Sequence, residues 1–128
     1  MMKLKEEQYI LLREYCSVLN TLEESFTYIV DSFTDLDKDD GDALLFEVID
    51  SFPQIKAVNE QLLHLFKENS EMVHIMHVFE KVQEQADRLE QTIGNAPEKQ
   101  EILREQFFPL FAAWHRMIDY ELQPYLFS

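Results

Sequence analysis

The sequence predicts an all-α fold: a four-helix, up-down-up-down antiparallel bundle with kinks near Pro53 and Pro109. Three observations predict it. Apolar residues recur every three or four positions through four successive stretches, which is the period of one helix face. The 128 residues include only 2 Gly and 4 Pro, so breaks are few and the segments between them long. No stretch alternates apolar and polar residues over a strand's length, and no internal repeat is present. Length and composition fit a single domain over residues 1–128, with enough apolar side chains to offset the entropy of ordering.

The first stripe comprises Leu11, Tyr15, Val18, Leu22, Phe26, Ile29, Phe33 and Leu36, widened by Leu12, Leu19 and Val30. Thr21-Leu22-Glu23-Glu24 has the form of a capping box, but the stripe crosses it without a phase jump. One helix from about Lys5 to Asp35 is therefore expected. The acidic stretch Asp35 to Asp42, which contains Gly41, reads as a turn followed by a helix cap.

The second stripe is Leu45, Val48, Phe52, Ile55, Asn59, Leu62 and Phe66, with one polar residue on an otherwise apolar line. Pro53 interrupts it. A proline removes one backbone donor and crowds the carbonyl four residues back, so a kink is expected between Ile49 and Pro53. Lys67 to Ser70 is a short polar link, with Asn69 or Ser70 as the cap.

The third stripe, Met72, Ile75, Phe79, Val82, Ala86, Leu89 and Ile93, ends at Gly94, a good residue just past a helix. Asn95-Ala96-Pro97-Glu98 then supplies a cap, an early proline and a capping-box acid. The fourth stripe runs through Leu103, Phe107, Leu110, Phe111, Trp114, Ile118 and Leu122. Pro109 predicts a kink around Glu105 to Phe108, and Pro124 predicts the helix end. Helices of about 25 residues joined by short links make antiparallel neighbours.

Charge bounds the partners. Asp plus Glu number 25 against 11 Lys plus Arg, a net charge of −14. A nucleic acid or an anionic membrane would need a dense basic patch, and the basic residues are scattered. Neither partner is expected. The lone Cys16 cannot form an intrachain disulfide, the N-terminus lacks the apolar run of a signal peptide, and no apolar stretch reaches membrane length. A cytoplasmic location is expected.

Several residues invite a chemical reading. Asp35, Asp37 and Asp39 have the spacing of a calcium loop, but position 6 is Asp40 rather than Gly, and Glu47 falls one residue late for the closing ligand. The Glu71 to His74 pair matches half of a di-iron motif that the bundle would need twice. His74 and His77 lie about 100° and 200° around the helix from Ile75, which turns both outward. His115 precedes Asp119 by four residues, as in an ordinary surface pair, and no nucleophile can be tied to it. His64 sits at a stripe edge, and Cys16 reads as a small core residue. No Gly-rich phosphate loop or metalloprotease motif occurs. No catalytic, cofactor or metal site is expected.

The aromatic crowding at the C-terminus points elsewhere. Phe107, Phe108, Phe111, Trp114, Tyr120, Tyr125 and Phe127 are too many for one buried face. With Phe107, Phe111 and Trp114 inward, Phe108, Ala112 and His115 form a second strip rimmed by Glu101, Glu105 and Asp119. The alternative is that a kink at Pro109 turns Phe108 inward. Phe108, Ala112, His115, Tyr125 and Phe127 are thus the candidate interface. In architecture the chain resembles the small acidic helical bundles of bacteria, export chaperones and anti-factor adaptors among them. The sequence leads to a non-enzymatic interaction module that meets a protein partner or a second copy of itself, a homodimer. The alternative is a metal-binding or metal-dependent enzyme using bundle carboxylates and at least two converging histidines.

Overall fold

The computed structural model of the chain describes residues 3–33, 41–92 and 96–126. Helix α1 spans Glu6–Ser32. The Lys5 amide donates to Gln8 Oε1 at 2.8 Å, and Glu6 and Glu7 lie in the first turn, where carboxylates suit the positive end of the helix dipole. The helix runs unbroken through Thr21, as the uninterrupted stripe predicts. Its buried line is Leu12, Tyr15, Leu19, Leu22, Phe26 and Ile29. Leu11 is half-buried and Val18 is 45% exposed, so the face is rotated from the predicted one in the first half of the helix. A stripe two residues wide does not say which edge its neighbours will cover.

Helix α2 (Gly41–Asp50) and α3 (Phe52–Leu65) share the second stripe. The helical ladder is interrupted at Ser51, two residues before Pro53. There the proline sits in the first turn of α3, where its missing N–H would have had no partner anyway. Ser51 Oγ donates to the Val48 carbonyl at 2.6 Å, satisfying one acceptor at the end of α2. Every residue of the predicted stripe is buried, Asn59 included.

Helix α4 covers Ser70–Gln91 and is capped by Asn69, whose side chain accepts from the Met72 amide at 3.2 Å. Met72, Ile75, Phe79, Val82, Ala86 and Leu89 face inward as predicted. The last rod consists of α5 (Ala96–Ile102), a π turn (Leu103–Phe107) and α6 (Phe108–Leu126). Pro109 explains the π turn. Its ring would crowd the Glu105 carbonyl, and the ladder loosens just ahead of it, with the Phe108 amide reaching the Leu103 carbonyl five residues back. The wider turn keeps Leu103, Phe107 and Phe111 on one buried line. The helix does not end at Pro124 but continues to Leu126. A proline in the last turn forfeits little, and Tyr125 is held by an edge contact with Phe66, ring centroids 5.1 Å apart.

No strand occurs among the described residues, and the fold is an all-α bundle. Helix α1 packs on α2 and α6, and α4 packs on α6 and α3. Where the rods meet, their aromatics interlock. Phe26 stands edge-on to Phe107 at 4.9 Å and to Phe111 at 5.1 Å, Phe52 lies 5.7 Å from Phe107, and Phe79 lies 4.8 Å from Trp114. The Trp114 indole donates to the Ile75 carbonyl at 3.1 Å, so its one polar atom is satisfied inside the core.

Candidate functional site

Three polar side chains are buried among the described residues, Asn59, Lys99 and His115, and two regions, around His115 and around Asn59, bring further polar groups to the core. The first lies between α1 and α6. His115 is 4% exposed, with Nδ1 3.1 Å from Glu23 Oε1 across the interface. Nε2 lies 3.4 Å from Asp119 Oδ2, close enough for an ion pair but not aligned for a hydrogen bond. Asp119 belongs to the same electrostatic neighbourhood as Cys16 and Tyr15. Burial raises the Asp119 carboxyl, the His115 side chain opposes that rise, and Glu23 adds to it. Burial, reinforced by Asp119, pushes the Cys16 thiol up to about 11. Such a thiol stays protonated at neutral pH, and a protonated thiol is a poor nucleophile and a poor ligand. The Glu23–His115 contact ties α1 to α6.

The second region is a groove of about 470 Å³ between α3 and α4. Its lining includes the apolar side chains Leu63, Met76 and Phe79 together with Asn59. Around them stand Glu60, Glu80, Glu84 and Asp87, with Lys56 as the one cation. Glu80 lies 3.5 Å from the exposed His77, and Asp87 accepts from Gln83 Nε2 at 3.1 Å. Asn59 is 6% exposed, and its Oδ1 accepts from the Tyr15 hydroxyl. Its Nδ2, like His115 Nε2, has no hydrogen-bond partner among the described residues. Burial pushes the Tyr15 hydroxyl well above the usual tyrosine range, with Cys16 and Asp119 adding to it, so this group remains a donor. A buried amide nitrogen without an acceptor is costly, on the order of 1–3 kcal/mol, and rare enough to require a reason. A smaller apolar groove flanks the other side of α3, lined by Leu11 and Val18 of α1 and by Ile55 and Val58.

The residues picked from sequence fall as follows. Phe108 is half-buried, its ring 6.2 Å from Phe26, so the inward alternative describes it better than a free strip does. Ala112 is half-buried beside it in sequence phase. His115 is not the surface residue expected; the Asp119 pair exists, but Glu23, 92 residues away in sequence, closes over the ring. Tyr125 packs on Phe66, and Phe127 lies outside the described residues. Of the aromatic crowd, Tyr120 alone among the described members stands well out, at 73% exposure. His64, His74 and His77 are exposed on α3 and α4, and His115 is buried on α6, so the histidines do not converge. Among the described residues, no group of three or more His, Cys, Asp and Glu is arranged to hold a metal ion. Residues 35–40 of the acidic loop lie outside the described residues. No described helix is long and apolar enough to cross a membrane.

Sequence reasoning missed the groove. Its one available signal was Asn59, a polar residue on a line of buried apolar ones. The Glu23–His115 contact left no sequence signal, because the two residues are brought together only by packing α1 on α6.

Residues 10–117 match the family described as "Domain of unknown function (DUF8042)", and the chain belongs to that family. The chain is also similar to the "Uncharacterized protein YvzG" of Bacillus subtilis (strain 168), at 25% identity over 122 residues, covering 95% of this chain and 97% of that protein. No solved structure matches it.

Proposed function

We propose that this protein is a non-enzymatic interaction module, of the adaptor, chaperone-like or anti-factor type, and that it offers the α3/α4 groove to a protein partner. The observation that carries this is the groove between α3 and α4 and the residues that line it. The apolar lining and acidic surround of the same groove have the composition of a contact patch. In the other polar region the thiol, held at about 11, offers no ready nucleophile at neutral pH. Of the residues chosen from sequence, Phe108 and Tyr125 pack against the core and His115 is buried, so the proposed contact surface is placed on α3 and α4 instead of α6.

Site-specific photocrosslinking in the native cells tests it. A benzophenone amino acid replaces the half-buried Leu63 at the groove in one variant and Phe108 on α6 in another. The expected result is a discrete heavier protein adduct from position 63 and none from position 108. An adduct containing a second copy of this chain would identify the partner as self. Adducts from position 108 alone, or from neither position, would overturn the proposal.

A further inference from the structure

The groove also constrains the chemistry of its occupant. Resting on the reading of the groove as a protein-contact surface, we infer that it receives a basic amphipathic helix of a partner protein. Charge and spacing carry the inference. Glu80, Glu84 and Asp87 follow one another at intervals of four and three along α4, so they form a row on one helix face. That row is about 10 Å long at 1.5 Å per residue. Lysines or arginines three and four residues apart on an approaching helix repeat at the same interval. On the opposite wall Glu60 adds a fourth carboxylate against the single cation Lys56, and the chain as a whole carries −14, so long-range attraction acts in the same direction.

Between the walls the half-buried Leu63 is the apolar side chain most open to such a helix, with Met76 and Phe79 beneath it as part of the core, 7% and 5% exposed. A nucleic acid or an anionic lipid surface would meet repulsion from the same carboxylates.

The test uses the full chain, isotopically labelled, and a synthetic probe. The probe is a peptide of about five helical turns, with a leucine face flanked by lysine and arginine. A second peptide has the same composition scrambled to remove the apolar face. Amide shifts are expected at residues 56–63 and 76–87, with weaker binding by the scrambled peptide. The double variant Glu80→Lys/Glu84→Lys should weaken the helical probe by about tenfold or more. Reversing two exposed glutamates of α1, Glu7→Lys/Glu24→Lys, makes the same change in net charge away from the groove and should weaken it by less than about twofold. Leu63→Asp supplies an independent loss from the apolar side. All these positions are exposed or half-buried, and circular dichroism checks that each variant remains helical. Equal weakening by both double variants, equal binding of both peptides, or shifts centred on α6 would overturn the inference. If position 63 still yields an adduct in cells, such a result removes the basic helix as occupant and leaves the groove as the contact surface.

Discussion

The α1/α6 interface and the flanks of α3 are built from similar residues and end in opposite states. Between α1 and α6, the polar groups Glu23, His115 and Asp119 close on one another over an aromatic floor. Beside α3, a groove opens on either side, while each region keeps one buried nitrogen without a hydrogen bond among the described residues, Asn59 Nδ2 here and His115 Nε2 there. The difference lies in side-chain chemistry. The last rod brings Phe107, Phe111 and Trp114 against Phe26 and Phe79, and such rings fill the space between helices. The outer half of α3 offers the exposed Lys56 and Glu60, whose charged ends stay in solvent. One side of the bundle is packed for stability, and the other is left incomplete.

Substitutions can break that contrast. Trp114→Ala should have the largest effect, about 3–5 kcal/mol in urea unfolding, because it removes a fully buried ring and leaves a cavity. Asn59→Ala should cost less, about 1–3 kcal/mol, since it strands the buried Tyr15 hydroxyl while removing an amide that was itself unsatisfied. If Asn59→Ala cost as much as Trp114→Ala, the groove would be part of the core and the contrast would fail. Glu80→Lys/Glu84→Lys should change stability by no more than about 0.5 kcal/mol, as exposed residues do.

Titration sharpens the same contrast. Cys16 should react with iodoacetamide more slowly at neutral pH than an unstructured thiol, and its reactivity should climb toward about pH 11. Fast reaction at pH 7 would mean that the α1/α6 strip is open to solvent. The smallest effect belongs to Asp119, whose side chain is 40% exposed. Its folded-state carboxyl is raised above its ordinary 3.8, so the folded chain binds that proton more tightly than the unfolded one. The resulting stabilisation is present below the ordinary value and is lost as pH rises through the raised one. Asp119→Asn should flatten that part of the stability profile, and an unchanged slope would contradict the assignment.

The all-α fold was legible because helix faces repeat locally. The lines Met72 to Leu89 and Leu45 to Phe66 each needed only their own residues to be read. Pro109 was legible as a disturbance, but not as a π turn, because the choice among helix defects depends on which one keeps Phe107 and Phe111 on the core. Val18 and His115 were misjudged for a related reason. Exposure at the edge of a stripe depends on the neighbouring helix, and Glu23 reaches His115 only after α1 and α6 have packed. The groove was the least legible feature, since a gap between helices is made by the side chains that do not fill it.

Amide hydrogen exchange of the protein alone tests most directly whether one side of the bundle is closed and the other incomplete. Amides of α3 within Phe52–Leu65 should exchange about tenfold faster or more than those around Trp114 and Ile118 of α6, through local opening of the helix between the grooves. Equal protection of α3 and α6 would contradict it.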